Sequence, residues 1–314
     1  MSAPHAVALC TDEQYLPYTA FVAAQIAQLP IRRSFDIFIC SSEPLVLPEA
    51  LAGLGIRTLR IEQGAQLAAL KTTHLPMTAY LRLWLPQALG DRYQRILYLD
   101  GDVFLEAADL NRLLAVDLGG NVVGAIRDMQ QWLTPQKHVR DFISAGLPCA
   151  PYFNSGVLVL DAPGFNRQGI LDQCLAFCSS TPQAIHHHDQ SVLNCVMHGR
   201  WTELSPLWNW QWAGKRPLWS LAEDIQIAHF AGNERKPWND PHGLCPPRYR
   251  AHWERFIGLH FPGFQGRGAV ASSRLKRRAA WLAQTATHCI IQGRVRDYLD
   301  RFGTLDVSYP LRGA

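Results

Sequence analysis

Residues 96–105 read ILYLDGDVFL, four apolar or aromatic residues running straight into Asp100, Gly101 and Asp102. Two carboxylates one residue apart at the end of a buried strand need something to offset their charge. Three chemistries fit. The triplet can be a turn, since Asp and Gly favour turns after strands. The first carboxylate can accept a phosphoryl group while the second acts as acid and base. Or both can converge on a divalent cation, Mg²⁺ or Mn²⁺, that neutralises a nucleotide diphosphate and makes it a better leaving group. In that case Gly101 lets the backbone approach the ligand, and an imidazole as third ligand favours Mn²⁺.

The elements that must position these groups are legible as an alternation. AVALCT (6–11), FDIFIC (35–40), IRTLRI (56–61), RILYL (95–99), NVVGAI (121–126) and GVLVLD (156–161) read as strands. Apolar residues recur at helical spacing over 16–29, over 77–89, where Pro86 should bend or end the helix, and over about 167–178. Strand alternating with helix predicts an α/β domain with a mainly parallel sheet. Ligands of such sheets bind beyond the carboxyl ends of the strands. Asp12 and Asp100 both stand just past strand ends, so they should share one edge.

The chain has 314 residues, 48% of them hydrophobic and 18% charged, a globular composition. A net charge of +4 does not argue for nucleic acid. The eight cysteines form no CxxC pair, which disfavours a zinc ribbon or a disulfide-rich module and suits reduced thiols in the cytoplasm. Neither a signal peptide nor a membrane-spanning run is expected. No GxGxxG opens the first strand–helix turn, which disfavours a nicotinamide dehydrogenase. From residue 265 the character changes. A glycine- and serine-rich connector leads into a basic stretch with six Arg or Lys and no Asp or Glu from Arg274 to Arg296. Trp281, Leu282, Ile290 and Ile291 are interleaved with them. Residues 1–264 are therefore expected to form one domain. Residues 265–314 form an extension, either a solvated helix or an amphipathic element on an anionic membrane surface.

Three further stretches place polar groups at the ends of apolar runs: YFNSGVLVLD (152–161), HHDQSVLN (187–194) and IAHFAGNERKPW (227–238). With ILYLDGDVFL, and in this order, they resemble glycosyltransferase family 8, over roughly residues 5–260. That family includes lipopolysaccharide and lipooligosaccharide glucosyl- and galactosyltransferases and glycogenin. The resemblance implies a nucleotide-diphospho-sugar transferase fold of the GT-A type, α/β with a mixed, mainly parallel central sheet. It implies that Asp100, Asp102 and His229 hold Mn²⁺, with Mg²⁺ as the alternative ion, and that Gly101 lies with them at the donor. CTDEQYLPY matches the family's first segment, which brings Thr11, Asp12, Gln14 and Tyr15 to the uracil and ribose. The family often has Asn where Gln14 stands, and Thr11 and Asp12 can equally cap the helix that follows. Arg82 in TAYLRLWLP matches an arginine for sugar hydroxyls or pyrophosphate; its other reading is a surface helix charge. Gly232 and Lys236 match pyrophosphate contacts. Here the chain departs from the family's HxxGxxKPW by one additional residue before Lys236, so the loop bulges or Arg235 shares the role.

By the same resemblance Asn154 and Ser155 lie near the transferred sugar, and Asp189 and Gln190 beneath its anomeric carbon. Asp189 would accept from sugar hydroxyls. An amide is a poor nucleophile, so Gln190 suits front-face transfer through an oxocarbenium-like ion pair, its carbonyl oxygen stabilising positive charge. The family retains anomeric configuration. His186, His187 and His188 are successive and cannot easily converge on one ion. Trp208, Trp210 and Trp212 alternate, and with Trp238 are either core or a stacking platform for a sugar acceptor.

The expected protein is a metal-dependent, retaining transferase. It moves glucose or galactose from a UDP-hexose donor to a glycan or lipid-linked glycan acceptor, in bacterial lipopolysaccharide or other surface polysaccharide synthesis. It should be cytoplasmic or peripheral on the inner face of the membrane, with no nucleic-acid partner. Two rivals remain at this stage. One is a nucleotide-sugar binding protein without transfer activity. The other is a haloacid-dehalogenase-like phosphatase, which wants Thr or Val where Phe104 stands.

Overall fold

A computed structural model describes residues 4–62, 77–106, 108–211, 224–232, 236–241, 243–264, 266, 273–302 and 308–309. Eleven strands are seen among them: β1 (His5–Cys10), β2 (Phe35–Ser41), β3 (Ile56–Arg60), β4 (Arg95–Leu99), β5 (Val103–Leu105), β6 (Val123–Arg127), β7 (Phe153–Asp161), β8 (Thr202–Leu204), β9 (Trp210–Gln211), β10 (Ile227–His229) and β11 (Ser308–Tyr309). Eight form one sheet in the order β11-β8-β6-β7-β4-β1-β2-β3. β1 runs parallel to β2 and β4, β2 to β3 and β6 to β8; β7 runs antiparallel to both β4 and β6, and β11 to β8. The sheet is thus mixed and mainly parallel.

The central strands are apolar on both faces because both faces are covered. Ala6, Ala8, Ile96 and Tyr98 pack with Leu81, Trp84, Phe165 and Trp201 on one side. Val7, Leu9, Leu97 and Leu99 pack with Leu16, Ala20, Ala23 and Leu110 on the other. β1 and β4 are hydrogen-bonded neighbours, with Ala8 opposite Tyr98. Asp12 and Asp100 therefore leave the sheet on the same edge, as the alternation predicts.

One helical expectation needs correction and another a shifted start. The stretch 77–89 is not one bent helix but a turn of α-helix (Met77–Tyr80), a 3₁₀ segment (Leu81–Trp84) and a second α-turn (Leu85–Leu89). Pro86 lies in the first turn of the last piece, where its missing N–H costs nothing, so it begins that turn rather than ending it. The helix expected near 167–178 runs Ile170–Ser180, its start set by Gly169, whose φ of 60° suits glycine, and a separate helix, Ala162–Arg167, precedes it.

A small second sheet places the chemistry. β5 follows Asp102 directly and pairs antiparallel with β10, which sets His229 opposite Val103. β9 pairs parallel with β10.

The C-terminal helix Arg274–Leu299 is anchored by its last turns. Val295 and Tyr298 are buried. The Tyr298 ring stacks on Trp132 at 5.6 Å, and its hydroxyl donates to Glu203 at 2.9 Å. Glu203 has no exposed surface and pairs with Arg127 at 2.6 Å. Residues 267–272 of the connector lie outside the described residues. Among those described, no helix is long and apolar enough to cross a membrane.

Candidate active site

Asp100 continues the β4–β7 ladder, its N–H donating to the Gly156 carbonyl at 2.9 Å. The Phe230 N–H donates to the Asp102 carbonyl at 3.0 Å. These two main-chain bonds bring Asp100, Asp102 and His229 together. Each offers a ligand atom, and those atoms lie within 4.8 Å of one another. His229 Nε2 stands 3.6 Å from Asp100 Oδ2 and 3.4 Å from Asp102 Oδ1. The other oxygen of each carboxylate is held elsewhere. Asp100 Oδ1 accepts from the Tyr98 hydroxyl at 2.5 Å and faces Arg82 at 3.1 Å. Asp102 Oδ2 accepts from Lys236 Nζ.

Burial alone would raise Asp102, but Lys236 and His229 beside it hold the carboxyl well below the usual range. Gly156 closes the floor: a Cβ there would stand 2.3 Å from His229 Cε1 and 2.8 Å from Asp100 Oδ2. Two carboxylate oxygens and an imidazole nitrogen in a cradle that excludes even a methyl group suit Mn²⁺ or Mg²⁺.

Arg82 is not a surface charge. Its side chain is 8% exposed, and its guanidinium lies 4.3 Å over the Tyr98 ring. Nη2 meets Asp100, Nε meets Asp189 at 3.1 Å, and Nη1 donates to the Ser155 carbonyl at 2.7 Å. Desolvation opposes the charge, yet the two aspartates raise its pKa further. Arg82 thus joins the metal-ligand side to the Asp189 side. Burial pushes Asp189 up to about 6, against the pull of Arg82.

Asn154, Ser155 and Gln190 meet at the start of β7. Gln190 Oε1 accepts from Asn154 Nδ2 at 3.0 Å and from the Ser155 N–H at 3.1 Å. Gln190 Nε2 donates to Asp128 at 3.2 Å. Both lone pairs of the Gln190 carbonyl are therefore engaged, which differs from a free oxygen facing the sugar.

At the end of β1, Asp12 accepts from the Tyr15 N–H at 2.8 Å and from the Thr78 hydroxyl at 3.2 Å; it braces the turn ahead of the helix, whose N-cap is Tyr15 without a side-chain cap. Thr11 is buried, Gln14 exposed, and Tyr15 lies 5.9 Å from Lys236 Nζ. Packing also requires a small residue at Gly101, where a Cβ would meet Thr19 Oγ1 at 2.5 Å. Gly232 has φ of 95°, and Lys236 reaches Asp102 despite the additional residue before it. Arg235 lies outside the described residues.

Trp208, Trp210 and Trp238 are core, buried to within 7% exposure, which removes them as an acceptor platform; Trp212 lies outside the described residues. Among the described residues the Asp100–Asp102–His229 group alone could hold a metal. Asp128 and Asn209 were missed by sequence reasoning. Asp128 follows β6 just as Asp12 follows β1, so the strand-end signal was available. Asn209, between two tryptophans, gave none.

Residues 6–241 match the pattern described as Glycosyl transferase family 8. The chain belongs to that family. General stress protein A of Bacillus subtilis is 28% identical over 203 residues, covering 60% of this chain and 68% of that protein. Lipopolysaccharide 1,2-glucosyltransferase of Escherichia coli is 28% identical over 169 residues, 51% of this chain and 48% of its own length. The chain thus spans between half and about two thirds of these curated relatives. The solved structure of the galactosyltransferase LgtC with donor and acceptor sugar analogs superposes with a TM-score of 0.65 at 19% identity, over 88% of this chain and 99% of that one. The family 8 chain shares its GT-A fold. Membership removes the haloacid-dehalogenase-like phosphatase rival.

Asp189 carries a testable pH signature. Its folded pKa of about 6 lies above the ordinary carboxyl value of 3.8, so the folded state holds the proton more tightly. Its contribution is full below about pH 3.8 and lost as pH rises through about 6. The stability of wild type relative to Asp189→Asn should therefore fall across that window in denaturant titrations, and a flat difference would refute the raised pKa.

Proposed function

We propose that the chain is a divalent-metal-dependent, retaining hexosyltransferase. It moves glucose or galactose from a UDP-hexose to a glycan or lipid-linked glycan acceptor in bacterial lipopolysaccharide or other surface polysaccharide synthesis. The observation that carries this reading is the cluster of Asp100, Asp102 and His229, with Lys236 beside it, at the strand ends of a family 8 chain. Relatives described as a lipopolysaccharide glucosyltransferase and a galactosyltransferase support the choice of hexose and acceptor.

Asp100, Asp102 and His229 would hold Mn²⁺ or Mg²⁺, which when bound neutralises the leaving diphosphate. Lys236 and the backbone at Gly232 supply further positive charge and N–H donors for that diphosphate. Thr11, Asp12, Gln14 and Tyr15 receive the uridine: a carboxylate accepts from the uracil N–H, and a tyrosine ring stacks on the base. Gly101 keeps this wall close to the carboxylates. Asp189, oriented by Arg82, accepts from hexose hydroxyls, and Asn154 and Ser155 border the same sugar. Gln190 offers no free nucleophilic lone pair, which favours front-face transfer in which the leaving phosphate takes the acceptor's proton.

The exposed face of the C-terminal helix presents Leu275, Leu282 and Ile290, 72–81% exposed, with Arg274, Lys276, Arg278 and Arg294 around them. We propose that this face rests on an anionic membrane surface, which would make the enzyme peripheral on the inner leaflet.

Three measurements test these statements. With Mn²⁺, UDP-glucose or UDP-galactose should stabilise the protein by about 2.7 kcal/mol at a hundredfold excess over Kd. Asp102→Asn should abolish that thermal shift, and full retention would sink the metal assignment. NMR of the product from an α-linked donor should show an α-linkage; a β-linkage refutes retention. Leu275→Ser with Leu282→Ser and Ile290→Ser should release the protein from anionic vesicles in co-sedimentation. Substitution tests this better than truncation, because Tyr298 of the same helix is bonded to buried Glu203.

A further inference from the structure

Asn209 is fully buried just before β9 and joins the two halves of the site. Its Oδ1 lies 2.9 Å from His229 Nδ1, and its Nδ2 donates to Asn154 Oδ1 at 2.8 Å. Amide oxygen and nitrogen are interchangeable in shape, so their assignment must come from neighbours with only one role. Two such neighbours exist. The Gly156 N–H can only donate, and it meets the Asn154 atom at 3.0 Å, which must be oxygen. The Ser155 N–H can only donate, and it meets the Gln190 atom at 3.1 Å, which must also be oxygen. These anchors agree: the Asn154 nitrogen then faces the Gln190 oxygen at 3.0 Å, and the Gln190 nitrogen faces the Asp128 carboxylate at 3.2 Å.

The same logic runs the other way. Asn154 Oδ1 accepts, so the Asn209 atom facing it must be nitrogen. Asn209 Oδ1 then faces His229 and accepts. In the neutral imidazole, Nδ1 must therefore carry the hydrogen, and Nε2 turns its lone pair toward Asp100 and Asp102. The opposite tautomer would put a hydrogen where a metal ligand needs electrons.

We infer that Asn209 is a positioning residue that fixes His229 as an Nε2 ligand and ties the metal-ligand side to the Asn154–Gln190 side. The inference rests on the proposed function for the identity of the ligands, but not for the hydrogen-bond direction. A replacement that keeps the acceptor and loses the donor separates the two arms. Asn209→Asp still accepts from Nδ1–H but opposes Asn154 Oδ1 with another acceptor. Asn209→Ala loses both.

The test uses the full chain with ¹⁵N-labelled histidine at mildly alkaline pH, His229 being assigned through His229→Asn. Without metal or nucleotide, wild type should show the Nδ1–H tautomer at His229. Asn209→Ala should mix the tautomers and weaken Mn²⁺, read by electron paramagnetic resonance, by about 10–100-fold. Asn209→Asp should keep the tautomer and restore Mn²⁺ binding, while losing affinity for UDP-hexose relative to UDP. An Nε2–H tautomer in wild type, or Mn²⁺ bound equally well by Asn209→Ala and wild type, overturns the inference. If wild type binds no Mn²⁺, the proposed function fails at its metal, and the tautomer in the metal-free protein still decides the role of Asn209.

Discussion

A guanidinium buried between two carboxylates is the constraint on which the rest of the site depends. Arg82 cannot be left charged in the interior without Asp100 and Asp189, and neither aspartate can be left beside apolar strands without it. Its planar fork fixes both at once, and the Ser155 carbonyl takes a third donor. Because the three come from separate elements, the same charge balance also holds the broken helical stretch around Leu81 and the start of the helix His188–Val196 against β4 and β7.

From that centre the site divides into two arms. One runs through Asp100 and Asp102 to His229 and Lys236, the other through Asp189 to Gln190 and Asp128. β7 lies between them, supplying Asn154, Ser155 and Gly156 in succession. Its antiparallel run between two otherwise parallel groups of strands is what turns these residues toward both arms. The proposed function puts diphosphate chemistry on the first arm and sugar recognition on the second, and Arg82 and Asn209 keep the two within hydrogen-bond reach.

Much of this could be read from the chain. Six of the strands show as apolar runs, and Asp12 and Asp100 show as charges at strand ends. His229 is different. Only the pairing of β10 with β5 brings it to the aspartates, and a three-residue strand leaves no periodicity to detect. It was found through its place in IAHFAGNERKPW. Arg82 is visible, but its burial is not, since an arginine between leucines suits an exposed helix equally well. Asn209 was invisible: an amide between two tryptophans is unremarkable until the strand that follows is paired. The spacing of the alternating tryptophans fits a strand face and left core and sugar platform both open; Trp208 and Trp210 prove to be core.

Gly156 also limits how such a site can change. Since any side chain at that position would occupy the space of the His229 ring, selection and protein engineering alike are confined to hydrogen there. The Asp100–His229 geometry cannot be retuned from beneath the carboxylates. A position such as exposed Gln14 has no such limit, since a new side chain there meets solvent first.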